Sequence, residues 1–292
     1  MSLLSAGDRV ALVSPAGPAL VSRVAAGVEV LRSWGLEVTT PVVGSWSLPY
    51  LAGSDEARAA EFVAAWCSDV AAVVCVRGGY GCLRMADLVP WKDLPARVFV
   101  GSSDVTVLHA ELNAAGLPTV FGPMPGTSDF VDDPLAQARL REVLFGSVSS
   151  WTAGTPVVPG TARGVLTGGN AALLAASVGG PRWAPPTQGA IALLEDIGEE
   201  PYRLDRILTQ LLRAGWFAPV SGIVLGSWTG CGDVSSVLHD RLSGLGVPIL
   251  GDFGFGHCAG QWSLPLGVEA ALDVEARTLT VLQGSAGPLR GR

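Results

Sequence analysis

The chain has 292 residues, of which 49% are apolar and 15% are charged, with 38 glycines and 20 prolines. This composition is typical of a compact α/β enzyme with many tight turns and excludes a disordered chain. The net charge is −7 and the basic residues are scattered along the sequence, which argues against a nucleic-acid-binding protein.

Apolar runs alternate with helical patterns in the first half of the chain. The predicted elements, in order, are a strand over 9–15, a helix over about 19–34, a strand over 36–41, a helix over about 54–67, and strands over 71–79 and 97–104. Near-continuous apolar strands that are separated by helices indicate a parallel sheet covered on both faces. We therefore expect an open α/β domain over residues 1–145.

The segment 146–163 (GSVSSWTAGTPVVPGTAR) is rich in Ser, Thr, Gly and Pro and lacks helical periodicity, which predicts a linker. A second domain is expected over 164–292. Its predicted elements are a strand over 190–197, a helix that opens at Pro201, a strand over 221–228, a helix around 233–245 and a strand pair near 268–282.

Two uncharged stretches, 164–181 and 214–232, approach the length of a membrane span. Several Gly residues, with Pro, Ser and Thr, interrupt them, so buried strands and turns are the better interpretation.

The N-terminus has neither the basic region nor the apolar region of a secretory signal, and a cytoplasmic location is expected. The five cysteines contain no C-x-x-C pair and no H-E-x-x-H motif is present, so no disulfide framework and no metal site are expected.

In open α/β sheets, ligands bind beyond the carboxyl ends of the strands, which draws attention to residues 77–81, 101–106 and 194–202. The first of these contains Gly79 and Gly81, but Arg84 stands where a dinucleotide fingerprint needs its third glycine. The only lysine, Lys92, is not in a phosphate loop, so no nucleotide cofactor is expected. The glycine turn can instead present a backbone amide to an anion.

The sequence GSSDVT at 101–106 has two interpretations. Ser103 or Asp104 can cap the helix that follows by accepting a hydrogen bond from its first turn, and local sequence favours this role. Alternatively, Ser103 is a nucleophile on a strained turn between strand and helix, and the amide of Asp104 points at an oxyanion.

A serine nucleophile needs a base, and the chain has three histidines. His239 lies beside charged residues on a helix face that is predicted to be exposed, so we expect it to be solvated. His109 follows Ser103 within one helix, and we expect it to be structural. His257 lies in the turn-rich stretch GFGHCAGQWSLPLG, from which a side chain can reach across a cleft. It is the candidate general base.

A carboxylate must orient that histidine. Glu195 and Asp196 end a predicted strand, whereas Glu199 and Glu200 lie in the turn before a helix and can equally favour its dipole. Glu195 is the better candidate because strand ends position side chains more rigidly than loops do.

Taken together, these motifs resemble the LD-carboxypeptidases, a family of serine peptidases that includes muramoyltetrapeptide carboxypeptidase and the microcin C self-immunity peptidases. The resemblance runs through GDRVALVSPAGP, YLAGSDEARAAEF, VRGGYGCLR, GSSDVT, LTGGN, LLEDIGEEPYRLDRILTQL and GHCAGQWSLPLG, in that order along the chain.

The resemblance implies a catalytic triad of Ser103, Glu195 and His257, with an oxyanion hole formed by the backbone amides of Gly79 and Asp104. It also implies a Rossmann-like N-terminal domain, a smaller β-rich C-terminal α/β domain, and a homodimer.

The substrate implied by the resemblance is the cytoplasmic murein tetrapeptide, which would lose its terminal D-Ala. Arg77 or Arg84 could bind the free carboxylate of that substrate, or could equally cap helices and solvate the sheet edge. Two other functions stay open: a detoxifying peptidase of peptidyl- or aminoacyl-adenylate analogues that uses the same triad, and a non-catalytic α/β protein that binds a ligand.

Overall fold

The computed structural model describes residues 2–40, 48–146 and 148–282, so the end of the strand predicted over 36–41 lies outside the described residues. The described chain divides into two compact units. Among the described residues, the first contains 2–40 and 48–146 together with Ala259–Pro265, and the second contains Val148–Cys258 together with 266–282.

The first unit is an α/β structure in which most strands are followed by helices. Its strands are β1 (Arg9–Val13), β2 (Glu37–Thr39), β3 (Ala72–Cys75), β4 (Val98–Gly101) and β5 (Thr119–Phe121). Its helices are α1 (Val21–Ser33), α2 (Asp55–Cys67), α3 (Cys82–Met85), α4 (Thr106–Ala114), α5 (Ser128–Val131) and α6 (Pro134–Phe145).

The sheet of the first unit has the order β12-β5-β4-β3-β1-β2, where β12 is the strand Leu264–Leu266. Strands β1 to β5 pair in parallel, and every residue of β3 and β4 is buried. The parallel sheet predicted from the apolar runs is therefore confirmed, and burial on both faces explains why these strands do not alternate in polarity.

Two helices of this unit, α2 and α6, begin with a side-chain cap. The Ser54 side chain accepts a hydrogen bond from the backbone N–H of Ala57 (3.1 Å) and starts α2. Asp133 accepts from the backbone N–H groups of Leu135 and Ala136 and starts α6, with Pro134 in the first helical position. Both ends match the residue types that satisfy the unpaired N–H groups of a first turn.

The second unit is built on a mixed sheet with the order β6-β14-β13-β8-β9-β10-β11-β7. Its strands are β6 (Ser150–Thr152), β7 (Thr155–Val158), β8 (Thr161–Asn170), β9 (Ala190–Ile197), β10 (Val220–Thr229), β11 (Ile249–Gly251), β13 (Glu269–Asp273) and β14 (Thr278–Val281), and its helices are α7 (Ala171–Ser177), α8 (Pro201–Arg213) and α9 (Ser235–Leu242). Strands β8 to β11 are parallel, whereas β13 and β14, the predicted strand pair, are antiparallel. The β-rich α/β character expected for this half of the chain is confirmed.

Helix α8 shows how this unit buries its core. Leu204, Leu208 and Leu211 recur at helical spacing, are fully buried, and belong to one cluster with Leu194 of β9 and Ile223 of β10. Pro201 opens the helix, as the sequence predicted.

The segment 146–163 differs from the expected linker. It holds β6, β7 and the first residues of β8, and β7 pairs antiparallel with β11 at an edge of the sheet. Most residues of β6 and β7 are exposed, and the alternation in β6 spans only three residues around buried Trp151, which is too short a pattern to identify a strand from sequence.

The two uncharged stretches lie within the second unit. The range 164–181 contains the end of β8 and all of α7, and the range 214–232 contains β10. Within the described ranges, every helix is too short or too polar to cross a membrane.

His109 is fully buried on α4 beneath the end of β4. Its Nε2 lies 2.9 Å from the backbone oxygen of Gly101 and its Nδ1 lies 2.8 Å from Thr119 Oγ1. Because the Gly101 carbonyl can only accept, Nε2 carries the proton and Nδ1 accepts from Thr119. Burial lowers the pKa of His109 from 6.5 to about 4, so the ring is neutral at physiological pH.

We predict that His109 makes the protein sensitive to acid. The unfolded chain takes up a proton near pH 6.5 but the folded chain does not until about pH 4, so stability falls as pH drops through this window, by up to about 1.4 kcal/mol per pH unit. Urea unfolding at pH 7 and pH 4.5 should show that His109→Gln loses about 2–3 kcal/mol less than the wild type over this interval. The exposed His239→Gln serves as the control and should follow the wild type. Parallel losses in wild type and His109→Gln would contradict the assignment.

Candidate active site

Ser103 lies at the turn between β4 and α4, where the backbone is strained. Its φ is 61°, and it is one of three non-glycine residues with positive φ among the described residues. An L-residue in the left-handed region costs about 1–2 kcal/mol, and such strain clusters at functional sites. Strand β4 therefore ends in the kind of turn that projects a serine hydroxyl away from the backbone.

Asp104 does not cap the helix that follows the turn. Within the described chain, neither the 3-10 turn Ser103–Val105 nor α4 has a side-chain hydrogen bond at its start. The Asp104 carboxylate instead accepts from the backbone N–H of Cys82 at 2.8 Å, which ties the turn to the start of α3. Burial raises the pKa of Asp104, and this hydrogen bond partly offsets that effect.

The glycine turn after β3 packs directly on the Ser103 turn. A Cβ on Gly78 would lie 2.9 Å from Ser103 Cβ and 3.4 Å from the backbone nitrogen of Asp104, so only glycine permits this approach. Gly79 follows with a φ of 110°. The first unit thus brings Ser103, Asp104 and Gly79, three of the predicted site residues, into one place.

Glu195 and His257, both in the second unit, form a hydrogen-bonded pair. The Nδ1 atom of His257 lies 2.7 Å from Oε2 of Glu195, and the His257 backbone N–H also donates to Oε2 at 3.3 Å. Glu195 is completely buried at the end of β9, and His257 is partly exposed. A proton on Nδ1 puts the lone pair on Nε2, which is the tautomer that a general base needs.

Gly256 permits this pairing. It has a φ of 91°, and a Cβ at this position would lie 2.5 Å from Oε2 of Glu195. Any larger residue would displace the Glu195 carboxylate from the His257 imidazole, so the hydrogen bond between them requires glycine at position 256.

Asn170 and Asp196 complete the surroundings of Glu195. The residue patterns offered Asp196 only as a second acid at the end of the same strand, and they gave Asn170 no role. The parallel register of β8 and β9 places Asn170 opposite Glu195. The Asn170 side-chain N–H donates to Glu195 Oε1 (3.3 Å) and to Asp196 Oδ1 (2.8 Å). Burial raises the pKa of Asp196 to about 6. The available signal was Asn170 in LTGGN, a polar residue at a strand end immediately before a helix.

The two candidate arginines differ in their surroundings. Arg84 pairs with Asp55, with its Nη2 at 2.9 Å from Oδ2. Arg77 is exposed, and its Nη1 donates to the backbone oxygen of Pro18 at 2.7 Å. The Arg84 guanidinium is therefore paired with a protein carboxylate, whereas the Arg77 guanidinium contacts a backbone carbonyl.

The remaining sequence candidates lie outside these two groups. His239 is exposed on α9, and Glu199, which precedes α8, pairs with Arg203 in the first turn of that helix at 2.7 Å. Across the described residues, no group of three or more His, Cys, Asp or Glu side chains is arranged to hold a metal ion.

We predict that Ser103→Gly is more stable than Ser103→Ala by about 1 kcal/mol, because glycine adopts positive φ without the cost that a Cβ imposes. In an ordinary helix the order is reversed, and Ser236 in α9 provides the control, where alanine should be the more stable substitution. Urea unfolding of the four variants measures both differences. The same order at both positions would mean that Ser103 is not strained.

The chain matches the models of the LD-carboxypeptidase N-terminal domain over residues 10–122 and of the LD-carboxypeptidase C-terminal domain over residues 163–272. SCO6489 of Streptomyces coelicolor, which carries a carboxypeptidase name, is 49% identical over 95% of this chain and 94% of its own. The murein tetrapeptide carboxypeptidase of Pseudomonas aeruginosa is 31% identical over 91% of this chain and 93% of its own.

Solved structures with a similar fold cover nearly the whole chain. Muramoyltetrapeptide carboxypeptidase from Oxalobacter formigenes has a TM-score of 0.82 at 28% identity, covering 94% of this chain and 97% of that one. MccF in complex with glutamyl sulfamoyl guanosine has a TM-score of 0.87 at 22% identity, covering 98% and 99%, which is a likeness of fold. Since the two domain matches account for most of the sequence and relatives above 30% identity span nearly all of it, the chain belongs to the LD-carboxypeptidase family.

Proposed function

We propose that this protein is a serine carboxypeptidase that hydrolyses the bond between an L-centre and a C-terminal D-amino acid, releasing D-Ala from murein tetrapeptide. The observation that carries the proposal is the left-handed Ser103 at the end of β4, against a glycine turn, in a chain of the LD-carboxypeptidase family. The relatives named for murein tetrapeptide and muramoyltetrapeptide support the substrate class.

In the proposed first half-reaction, Nε2 of His257 takes the proton of the Ser103 hydroxyl while Oγ attacks the substrate carbonyl. Glu195 holds the imidazole in the required tautomer and stabilises its charged form. The C–N bond then breaks, and the proton on Nε2 passes to the amino group of the departing D-Ala. The product is an acyl ester on Ser103.

In the second half-reaction, His257 takes a proton from water while the water oxygen attacks the ester carbonyl. The bond between the acyl carbon and Ser103 Oγ then breaks, Nε2 returns the proton to Oγ, and the shortened peptide leaves with a free carboxylate. The backbone N–H groups of Gly79 and Asp104 hold the oxyanion in both steps. Each such donor contributes about 10²–10³ in rate.

The carboxylate of the terminal D-Ala needs a cation, and Arg77 is the better of the two candidates. It is exposed beside the glycine turn, whereas Arg84 shares a salt bridge with Asp55. A guanidinium can bind a carboxylate through two parallel hydrogen bonds, which would select substrates with a free C-terminus.

A homodimer, which the family resemblance implies, and a cytoplasmic location, where the expected substrate occurs, belong to the same proposal. Sedimentation of the purified protein measures the first, and fractionation of the source cells measures the second.

The proposal predicts that the wild type releases D-Ala from murein tetrapeptide and that Ser103→Ala lowers kcat by at least about 1,000-fold, because the nucleophile is lost. Mass spectrometry of the released amino acid measures both. Ser102→Ala changes the neighbouring serine and serves as the matched control, with activity near that of the wild type.

A tetrapeptide that ends in L-Ala tests the stereochemistry and should not be hydrolysed. Release of D-Ala that is undiminished in Ser103→Ala would show that another residue is the nucleophile.

An acyl sulfamoyl adenosine belongs in the same assay, because MccF was crystallised with a glutamyl sulfamoyl nucleoside. Cleavage of this compound without release of D-Ala would favour the adenylate-directed function. A chain that cleaves neither compound and resists a fluorophosphonate probe would be the non-catalytic binding protein.

A further inference from the structure

Arg58 is a buried cation beneath the glycine turn. It lies on α2, and its side chain is only 2% exposed. Its Nη2 atom pairs with Asp55, three residues earlier on the same helix. A guanidinium this deeply buried loses its hydration, so its remaining N–H groups must find acceptors inside the protein.

Those acceptors are backbone carbonyls from three separate loops. Arg58 Nη1 donates to the oxygens of Pro15 and Gly81, the latter at 2.9 Å, and Nε donates to the oxygen of Gly53 at 3.2 Å. Pro15 follows β1, Gly53 precedes α2, and Gly81 closes the glycine turn after β3. One planar side chain therefore holds three loops at the carboxyl edge of the sheet, which a lysine cannot reproduce because its donors do not form a fork.

The glycine turn is packed tightly on this guanidinium. Gly81 has a φ of 129°, and a Cβ there would lie 2.8 Å from Arg58 Nη1 and 2.6 Å from Leu51 Cδ2. The turn can shift toward α2 only if Arg58 moves.

On its other side, the same turn is joined to the nucleophile. The backbone N–H of Cys82, the residue after Gly81, donates to the Asp104 carboxylate at 2.8 Å, and Gly78 packs against Ser103. Arg58 is thus connected to the Ser103 turn through Gly81, Cys82 and Asp104. Gly79 lies within the segment held at both ends.

We propose that Arg58 is a positioning residue that fixes the Gly78–Gly81 turn against Ser103 and so places the Gly79 amide where the oxyanion forms. The inference rests on the proposed function, because it assigns Gly79 to the oxyanion hole. Arg58 acts through the turn and does not contact the substrate.

The test compares Arg58→Lys and Arg58→Met with the wild type on murein tetrapeptide. We expect kcat to fall about 100-fold, the loss typical of a misplaced oxyanion donor, while KM changes less than about 3-fold. Arg32→Met is the matched control, since Arg32 also pairs with an acid three residues earlier on a helix but is exposed, and it should keep wild-type kcat.

The decisive readout is the affinity for a tetrapeptide phosphinate, a tetrahedral analogue of the intermediate. Loss of oxyanion geometry should weaken phosphinate binding by about the same factor as kcat/KM, because both report stabilisation of the tetrahedral state. Partial unfolding would lower the active fraction and leave the affinity of the remainder unchanged. A 100-fold fall in kcat with unchanged phosphinate affinity, or a kcat for Arg58→Lys within 3-fold of the wild type, would overturn the inference.

If the Arg58 variants do not fold, Gly81→Ala tests the same inference, because the new Cβ would lie 2.8 Å from Arg58 Nη1 and would separate the turn from the guanidinium. The same joint loss of kcat and phosphinate affinity is expected, and retention of both would overturn the inference. A wild type that releases no D-Ala would refute the proposed function and the inference with it, whereas an active wild type with an active Arg58→Lys refutes the inference alone.

Discussion

The left-handed backbone of Ser103 is held in place by close packing on both sides of the turn. Before the turn, a Cβ on Gly101 would lie 2.7 Å from Val105 Cγ1, and across from it Gly78 leaves room for the Ser103 side chain. A strained residue persists only where its surroundings leave it no alternative, and here buried Val105 and the glycine turn provide that constraint. The glycine turn, the Asp104 hydrogen bond and Arg58 can all be understood as parts that keep this one geometry.

In the second unit, the corresponding constraint is the hydrogen bond that keeps the buried Glu195 carboxylate beside His257. Glu195 has no solvent exposure, so an ionised carboxylate there must be compensated by hydrogen bonds. His257 supplies two donors to one oxygen and Asn170 supplies one to the other. This arrangement fixes the orientation of the imidazole, which the proposed role of His257 as a general base requires.

Much of the architecture was predictable because its signal is local. The buried strand over 190–197 and the helix opening at Pro201 were placed correctly, since continuous apolar residues and a proline at a first turn are read directly from sequence. The edge strands within 146–163 were not, because exposed strands of Ser, Thr and Pro acquire their structure from pairing with distant partners.

The same distinction applies to the site. Ser103, Glu195 and His257 lie in short motifs, whereas Asn170 and Arg58 act through contacts that span 25 and 23 residues along the chain. The sequence before folding contains neither the register of β8 against β9 nor the convergence of three carbonyls on one guanidinium. Within each unit, these contacts form only when the strands and helices have assembled.

The most direct test of the account is to locate the covalent bond. The protein would be reacted with a tetrapeptide analogue that carries a phosphonofluoridate at the scissile position, and the modified peptide would be identified by mass spectrometry. The account predicts a single phosphonyl adduct on Ser103. An adduct on another residue, or continued release of D-Ala by protein in which Ser103 is fully modified, would contradict it.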